Sequence, residues 1–138
     1  DSQLITFEIT ESLLIEDLAH VSPILQTLRD NGFNLSLDDF GTGYSSLSYL
    51  SILPINEIKI DRSFVDKLLT SSETENLIRA IVAIGESYQL TIVAEGVETA
   101  EQLTKLSSFQ CHIAQGYYFD RPLSLTDLNN KYLTTVCC

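Results

Sequence analysis

Five short, apolar, β-rich segments alternate with helical patterns along the chain, and this alternation restricts the fold more than any other feature. The predicted strands cover residues 3–8, 33–38, 57–61, 91–95 and 111–114. Short apolar strands that are separated by helices are typical of a parallel sheet with helices packed on its faces. The sequence therefore predicts an α/β fold with parallel strands, and its 138 residues are enough for one domain with a real core.

The intervening helices are predicted from apolar residues spaced three and four apart and from capping residues. Ser22-Pro23 interrupts the first of these patterns, so a firm helix is expected there only over residues 23–30. The later helices are predicted over residues 44–50, from Ser72 with Glu75 to about residue 89, from Thr99 with Gln102 to residue 106, and from near Ser124.

The second strand ends in two adjacent carboxylates, Asp38 and Asp39, which a glycine-rich loop follows directly. Two like charges that are this close either raise each other's pKa or recruit a cation. Hard oxygen ligands at a strand end, with a flexible loop beside them, suit a divalent metal ion. The alternative for a bare Asp-Asp pair is a solvated turn that caps a helix.

Polar residues recur at the carboxyl ends of the other strands as well. Parallel strands place these ends on one face of a barrel or open sheet, where active sites lie. The set comprises Glu8, Asp38, Asp39, Lys59, Asp61, Glu95 and Gln115. It offers hard ligands for one or two Mg²⁺ or Mn²⁺ ions and a lysine that can orient water or neutralise a phosphate, which are the parts needed for metal-assisted phosphodiester hydrolysis. Taken singly, each residue could instead be a helix cap or a surface ion pair.

The composition restricts the classes of ligand that the protein can bind and the cellular compartment that is expected for it. The formal net charge is −11, which argues against a surface for duplex nucleic acid and means that an anionic ligand needs a metal to screen this charge. The three cysteines lack the spacing of a disulfide framework, so a reducing, cytoplasmic location is expected. No apolar run in the sequence is long enough to span a bilayer.

Taken together, the strand-end motifs resemble the C-terminal part of EAL domains, the cyclic di-GMP phosphodiesterases. The motifs occur in the family's order and cover almost the whole chain. They are Glu8-Ile9-Thr10-Glu11, Asp38-Asp39-Phe40-Gly41-Thr42-Gly43 with Tyr44-Ser45-Ser46-Leu47, Lys59-Ile60-Asp61, Ala94-Glu95-Gly96-Val97-Glu98, and Gln115-Gly116-Tyr117-Tyr118-Phe119 with Pro122-Leu123.

This resemblance implies a TIM-type (β/α) barrel and a site for two metal ions, Mg²⁺ or Mn²⁺. By it, the residues divide into metal ligands, catalytic residues and supporting groups. Glu8 binds the first metal, Asp38 bridges both, and Asp39 and Glu95 hold the second. Lys59 and Glu95 are the catalytic residues, and Lys59 contacts the attacking water or acts as its base. Gln115 reaches the site from the last strand, and Glu11, Asp61 and Glu98 orient loops and ligands.

The resemblance also sets expectations about extent. A full barrel of this type needs roughly 250 residues, so residues 1–138 are expected to be the C-terminal part of a single EAL domain, with about four to five β/α units. The segments with the Glu-Ala-Leu signature and with a metal-binding asparagine are missing from the 138 residues. The piece alone is expected to be inactive and to self-associate through the incomplete barrel edge, as a homodimer or larger assembly.

Three functions stay open on the sequence. The first is hydrolysis of cyclic di-GMP to linear pGpG by the parent protein. The second is a degenerate EAL domain that serves as a cyclic di-GMP receptor or interaction module. The third, an unrelated metal-dependent lyase or aldolase barrel, is disfavoured by the Asp-Asp loop followed by Lys59-Ile60-Asp61. A sensory or GGDEF cyclase domain and a membrane anchor are open alternatives for the full-length protein.

Overall fold

The computed structural model describes residues 1–42, 49–111 and 113–133, without the side chains of residues 15 and 16. Strands and helices alternate through most of these ranges, but no helix is described between β2 and β3, α3 follows α2 directly, and a π-helix (Asn129–Leu133) follows α5 directly. The elements are β1 (Thr6–Thr10), α1 (Glu11–Asp30), β2 (Asn34–Phe40), β3 (Glu57–Ile60), α2 (Arg62–Lys67), α3 (Ser72–Ser87), β4 (Thr91–Ala94), α4 (Ala100–Ser108), β5 (Ile113–Ala114) and α5 (Leu125–Leu128). No helix in the described ranges combines the length and the apolar character needed to cross a membrane.

The five strands form one parallel sheet in the order β1-β2-β3-β4-β5, so each strand pairs with its neighbour in sequence. The register aligns Thr10 with Asp38 and Ile60 with Ala94. These pairs lie at the carboxyl ends of the strands, which therefore end at nearly the same level. The predicted α/β fold with parallel strands is confirmed.

The two faces of the sheet differ in polarity. Leu37, Ile58 and Ile92 are fully buried and belong to the core, which also takes in apolar residues of α1, α3 and α4. Because side chains alternate along a strand, Asp38 and Lys59 project from the opposite face. The helices therefore pack on the apolar face of the sheet, and the polar residues lie on the opposite face.

The first helix departs from its prediction. It runs from Glu11 to Asp30 with Pro23 inside it, and its interruption lies at Asp17, where φ is −154° and ψ is 60°. The Asp17 carboxylate accepts the His20 N–H at 3.2 Å, which is the contact of an N-cap residue, so the second half of α1 starts there. Leu14 and Leu25, one in each half, are both buried in the core. Their burial holds the two halves on the sheet despite the proline.

Helix caps show where the sequence interpretation held and where it was wrong. Thr99 and Gln102 form the predicted capping box of α4. The cap of α3 is Ser71 and not Ser72, because the Ser71 hydroxyl accepts the Thr74 N–H at 3.2 Å. Glu75, the expected partner in that box, forms ion pairs with Lys105 at 2.8 Å and with Arg79 at 2.9 Å. Two charged partners outcompete a neutral backbone N–H for this carboxylate.

The remaining differences concern lengths. β1 begins three residues later than predicted, because residues 2–4 form a 3-10 turn that Asp1 caps, and β2 continues through the Asp pair to Phe40. Helix α2 was not predicted, and the last helix begins after Ser124 as expected. Most of the helix predicted over 44–50 lies outside the described residues.

We predict that Gly85→Ala destabilises the fold. Alanine is favoured over glycine in a helix by about 1 kcal/mol, but a Cβ at Gly85 would lie 2.2 Å from Ile92 Cδ1 and 2.6 Å from its Cγ1. Ile92 is fully buried, so the overpacking cost of about 1–3 kcal/mol should prevail. Urea unfolding measures the change.

Truncating the Ile92 side chain should reverse the sign of the stability change that Gly85→Ala causes. In an Ile92→Ala background, Gly85→Ala should raise the free energy of unfolding, because the helix preference then acts alone. Ala83→Gly, at an exposed position of the same helix, calibrates that preference. A stability gain from Gly85→Ala in the wild-type background would contradict the steric explanation.

Candidate active site

Lys59 lies at the centre of a cluster of carboxylates at the carboxyl ends of four neighbouring strands. Its Nζ is 2.8 Å from Glu8 Oε1, 3.4 Å from Asp38 Oδ1 and 2.7 Å from Glu95 Oε1. The lysine side chain is only 7% exposed. Glu8 and Asp38 come from β1 and β2, Lys59 from β3, and Glu95 follows β4. The register of the sheet thus brings together four residues that are spread over nearly ninety positions of sequence.

The surroundings of Lys59 fix its protonation state. Burial by itself would lower the pKa of Lys59, but hydrogen bonds to Glu8 and Glu95 and the charges of Glu95 and Asp38 outweigh it and raise the pKa above its usual value. The ammonium therefore keeps its proton at neutral pH. In this state Lys59 can donate hydrogen bonds to a water or a phosphate oxygen and cannot accept a proton.

Asp39 has a different environment from its neighbour Asp38. Its φ is +56°, in the left-handed region that few residues other than glycine adopt, and its N–H donates to Asp38 Oδ1 at 3.0 Å. Burial, followed by the charges of Asp38 and Asp61, raises the pKa of Asp39, while Lys59 opposes the shift. Negative charge is therefore in excess around the Asp pair, although one lysine partly offsets it.

Three further acids hold the loops beside the cluster. Glu11 is 2% exposed and accepts the Tyr49 hydroxyl at 3.0 Å and the Gly41 N–H at 3.2 Å, which ties both ends of the loop after β2 to the start of α1. Asp61 caps α2 by accepting the Ser63 N–H at 3.0 Å. Glu98 pairs with Arg62 at 2.7 Å and so connects the loop after β4 to α2.

Gln115 follows β5 and lies beside Glu95 in the lining of a cavity of about 190 Å³. Its backbone joins the loops, because its N–H donates to the Ala94 carbonyl at 2.8 Å and its carbonyl accepts the Val97 N–H at 3.0 Å. A larger cavity of about 490 Å³ opens at the other end of the strands, around Asn34 and Thr91. The smaller cavity adjoins the acidic cluster, so it is the candidate substrate-binding cavity.

The residues that could hold a metal ion are Glu8, Asp38, Asp39 and Glu95. Their oxygen donors are the type that Mg²⁺ and Mn²⁺ prefer, and the excess negative charge at Asp39 favours a cation, so the donor chemistry fits. In the described part of the chain, no three His, Cys, Asp or Glu side chains are grouped as a metal-binding cluster. Oxygens of Glu8, Asp38 and Glu95 converge on the Lys59 ammonium, which offsets part of their negative charge in this arrangement.

Comparison with known proteins identifies the family. A model of the EAL domain matches residues 1–122. The chain therefore belongs to the EAL domain family, whose solved structures are TIM-type barrels. It is 50% identical to the oxygen sensor protein DosP of Escherichia coli over 93% of the chain and 16% of that protein, and 46% identical to the cyclic di-GMP phosphodiesterase NbdA of Pseudomonas aeruginosa over 88% of the chain and 16% of that protein.

Solved structures agree with this assignment. The PaMucR phosphodiesterase in complex with c-di-GMP matches with a TM-score of 0.89 and 42% identity, over 92% of this chain and 51% of that one. A manganese and c-di-GMP complex of BlrP1 from Klebsiella pneumoniae matches with a TM-score of 0.82 and 35% identity, over 88% of this chain and 31% of that one. The chain thus spans about a sixth of the length of these curated relatives and half of the PaMucR chain.

Sequence reasoning brought the right strand ends together but missed the contacts that fix the loops. Arg62 was missed, although its place directly after the strand-end motif at 59–61 is a usable signal. Tyr49 lies 38 residues from Glu11, and no local pattern links the two. The structure thus adds to the acidic residues the partners that hold them in place.

Proposed function

We propose that residues 1–138 are the C-terminal part of a single EAL domain and that this domain hydrolyses cyclic di-GMP to linear pGpG with Mg²⁺ or Mn²⁺. The observation that carries the proposal is the Lys59 ammonium held within 3.4 Å of three carboxylates at the carboxyl ends of the strands. Relatives named as cyclic di-GMP phosphodiesterases support the substrate. The expected cytoplasmic location is part of the same proposal.

In this proposal the metal ligands are Glu8, Asp38, Asp39 and Glu95. A bound divalent ion would act as a Lewis acid on the phosphodiester and lower the pKa of a bound water. The protein needs such an ion for binding as well, because the chain carries a net charge of −11 and the substrate is an anion.

The remaining residues orient the reactants, compensate charge and hold the loops around the site. Lys59 is protonated in this arrangement, so in this proposal it orients the attacking water or compensates charge on the phosphate in preference to acting as a general base. Gln115 contacts the substrate from the cavity beside Glu95. Glu11, Asp61 and Glu98 hold the three loops at fixed positions around the reacting group.

Asp38→Asn in the complete domain should abolish hydrolysis. Asp38 is the proposed bridging ligand, and removing its charge weakens the hold on both ions and the screening of the phosphate. Cyclic di-GMP turnover with Mg²⁺ or Mn²⁺, compared between the wild type and the variant, measures the loss.

Glu73→Gln, an acidic residue in the first turn of α3 and outside the cluster, serves as a charge-matched control. Near-normal turnover in Asp38→Asn would rule out the bridging role. A wild type that binds cyclic di-GMP without cleaving it would instead favour the receptor function.

Lys59→Ala should remove turnover while preserving or strengthening Mn²⁺ binding. The variant loses the hydrogen-bond donor of the site, but it also loses the ammonium that competes with a metal ion for Glu8, Asp38 and Glu95. Isothermal titration with Mn²⁺ and a hydrolysis assay separate the two effects. Weakened Mn²⁺ binding, or unchanged turnover, would show that this division of labour is wrong.

The 138-residue piece alone should self-associate and lack activity. The 138 residues span 51% of the PaMucR chain, and in this proposal further segments of the complete domain cover β1. β1 is an edge strand, and its neighbours Leu4 and Ile5 and its own Phe7 are 85%, 47% and 41% exposed. Unpaired strand edges with apolar side chains recruit another chain. Light scattering should give a mass well above 15.4 kDa, and a monodisperse, active monomer would contradict the proposal.

A further inference from the structure

Gln102 is a buried glutamine in the first turn of α4 whose side-chain amide joins three segments of the chain. It is 7% exposed. Its Oε1 accepts the N–H groups of Glu98 at 2.8 Å and Thr99 at 3.0 Å, and its Nε2 donates to the Val65 carbonyl at 3.1 Å. The amide therefore links the start of α4 and the turn after β4 to α2.

Capping of α4 does not explain why this residue is glutamine. Glutamate serves equally well at the third position of a capping box, and its charge is favoured near a helix N-terminus. A carboxylate, however, has no hydrogen to give to the Val65 carbonyl, whereas the glutamine amide donates to it at 3.1 Å. The contact with α2 therefore accounts for the amide.

Of two polar links between α2 and the turn after β4 among the described residues, the one through Gln102 is the more buried. The other is the ion pair of Arg62 with Glu98, whose side chains are 52% and 41% exposed. Exposed ion pairs contribute little to stability. The Val65 carbonyl also accepts the Leu68 N–H at 3.2 Å, but breaking a buried hydrogen bond would leave the Gln102 amide hydrogen without its acceptor, which costs more than losing an exposed ion pair.

We propose that Gln102 is a positioning residue of the site, which holds the turn carrying Glu95 and Glu98 against α2. Glu95 is fixed on its N-terminal side by the sheet, since its N–H donates to the Ile60 carbonyl at 3.1 Å. Gln102 fixes the same turn on its C-terminal side, three residues further along. The effect on turnover rests on the proposed phosphodiesterase function, whereas the effect on the turn itself does not.

Gln102→Glu in the complete domain is the principal test, because it keeps the cap and removes the donor to Val65. Partners that orient metal ligands typically contribute ten- to hundredfold to metal affinity or activity, so kcat should fall about tenfold or more with little change in KM. Mn²⁺ affinity, measured by electron paramagnetic resonance, should fall as well. An added negative charge alone would raise Mn²⁺ affinity, so a fall reports displaced ligands.

Ser71→Ala is the matched control. It removes the side-chain cap of α3, which lies outside the turn and the cluster, so it should lower the free energy of unfolding without changing kcat or Mn²⁺ affinity. Wild-type kcat and Mn²⁺ affinity in Gln102→Glu would overturn the positioning role. The same would follow if both variants lost activity only in proportion to their unfolded fraction.

Hydrogen exchange separates this proposal from the proposed function. Gln102→Leu should speed amide exchange at Glu98 and Thr99 at least tenfold relative to the wild type, whereas Ser71→Ala should not. Unchanged exchange at both amides would overturn the role of Gln102, whatever the activity of the wild type. A wild type without turnover would refute the phosphodiesterase function, and faster exchange in Gln102→Leu would still support the positioning of the turn.

Discussion

The site depends on one buried ammonium that satisfies three carboxylates at once. Without Lys59, the carboxylates of Glu8, Asp38 and Glu95 would have no ammonium among them, and their mutual repulsion would need another cation to offset it. The ammonium within 2.7–3.4 Å of all three makes the ionised cluster compatible with the folded chain. The same contacts raise the pKa of Lys59 and keep it charged.

This arrangement is possible because the sheet separates its two faces so strictly. Ile58 and Ile60 are fully buried on the face that the helices cover, and Lys59 between them points to the other. A shift of one residue in the register of β3 would bury the ammonium under the helices and place isoleucine in the site. The apolar core therefore specifies the geometry of the polar cluster as well as the stability of the fold.

The separation of an apolar and a polar face also explains which parts of the fold and the site could be predicted from the sequence. Alternation of short apolar strands with helices predicted the parallel sheet, and the rule that strand carboxyl ends converge brought Glu8, Asp38, Lys59 and Glu95 together. Prediction failed where two local signals compete. Pro23 looked like a helix break, but burial of Leu14 and Leu25 overrides it, and Ser71 and Ser72 are adjacent hydroxyls of equal capping power. Contacts such as Glu11 with Tyr49 cross 38 residues and leave no local pattern.

The backbone at Asp39 is in a strained conformation. A non-glycine residue at φ +56° costs about 1 kcal/mol, and glycine would remove that cost. Gly96, the corresponding residue after Glu95, has φ +70°, and a Cβ added at this position would collide with the Arg62 side chain. The turn after β4 thus has a glycine at this position, whereas the last part of β2, where the register shifts between Leu37 and Phe40, keeps a carboxylate at a strained position. Burial and the charges of Asp38 and Asp61 also raise the pKa of Asp39, so backbone and electrostatics both act against an ionised carboxylate at this position, which is consistent with its proposed role as a metal ligand.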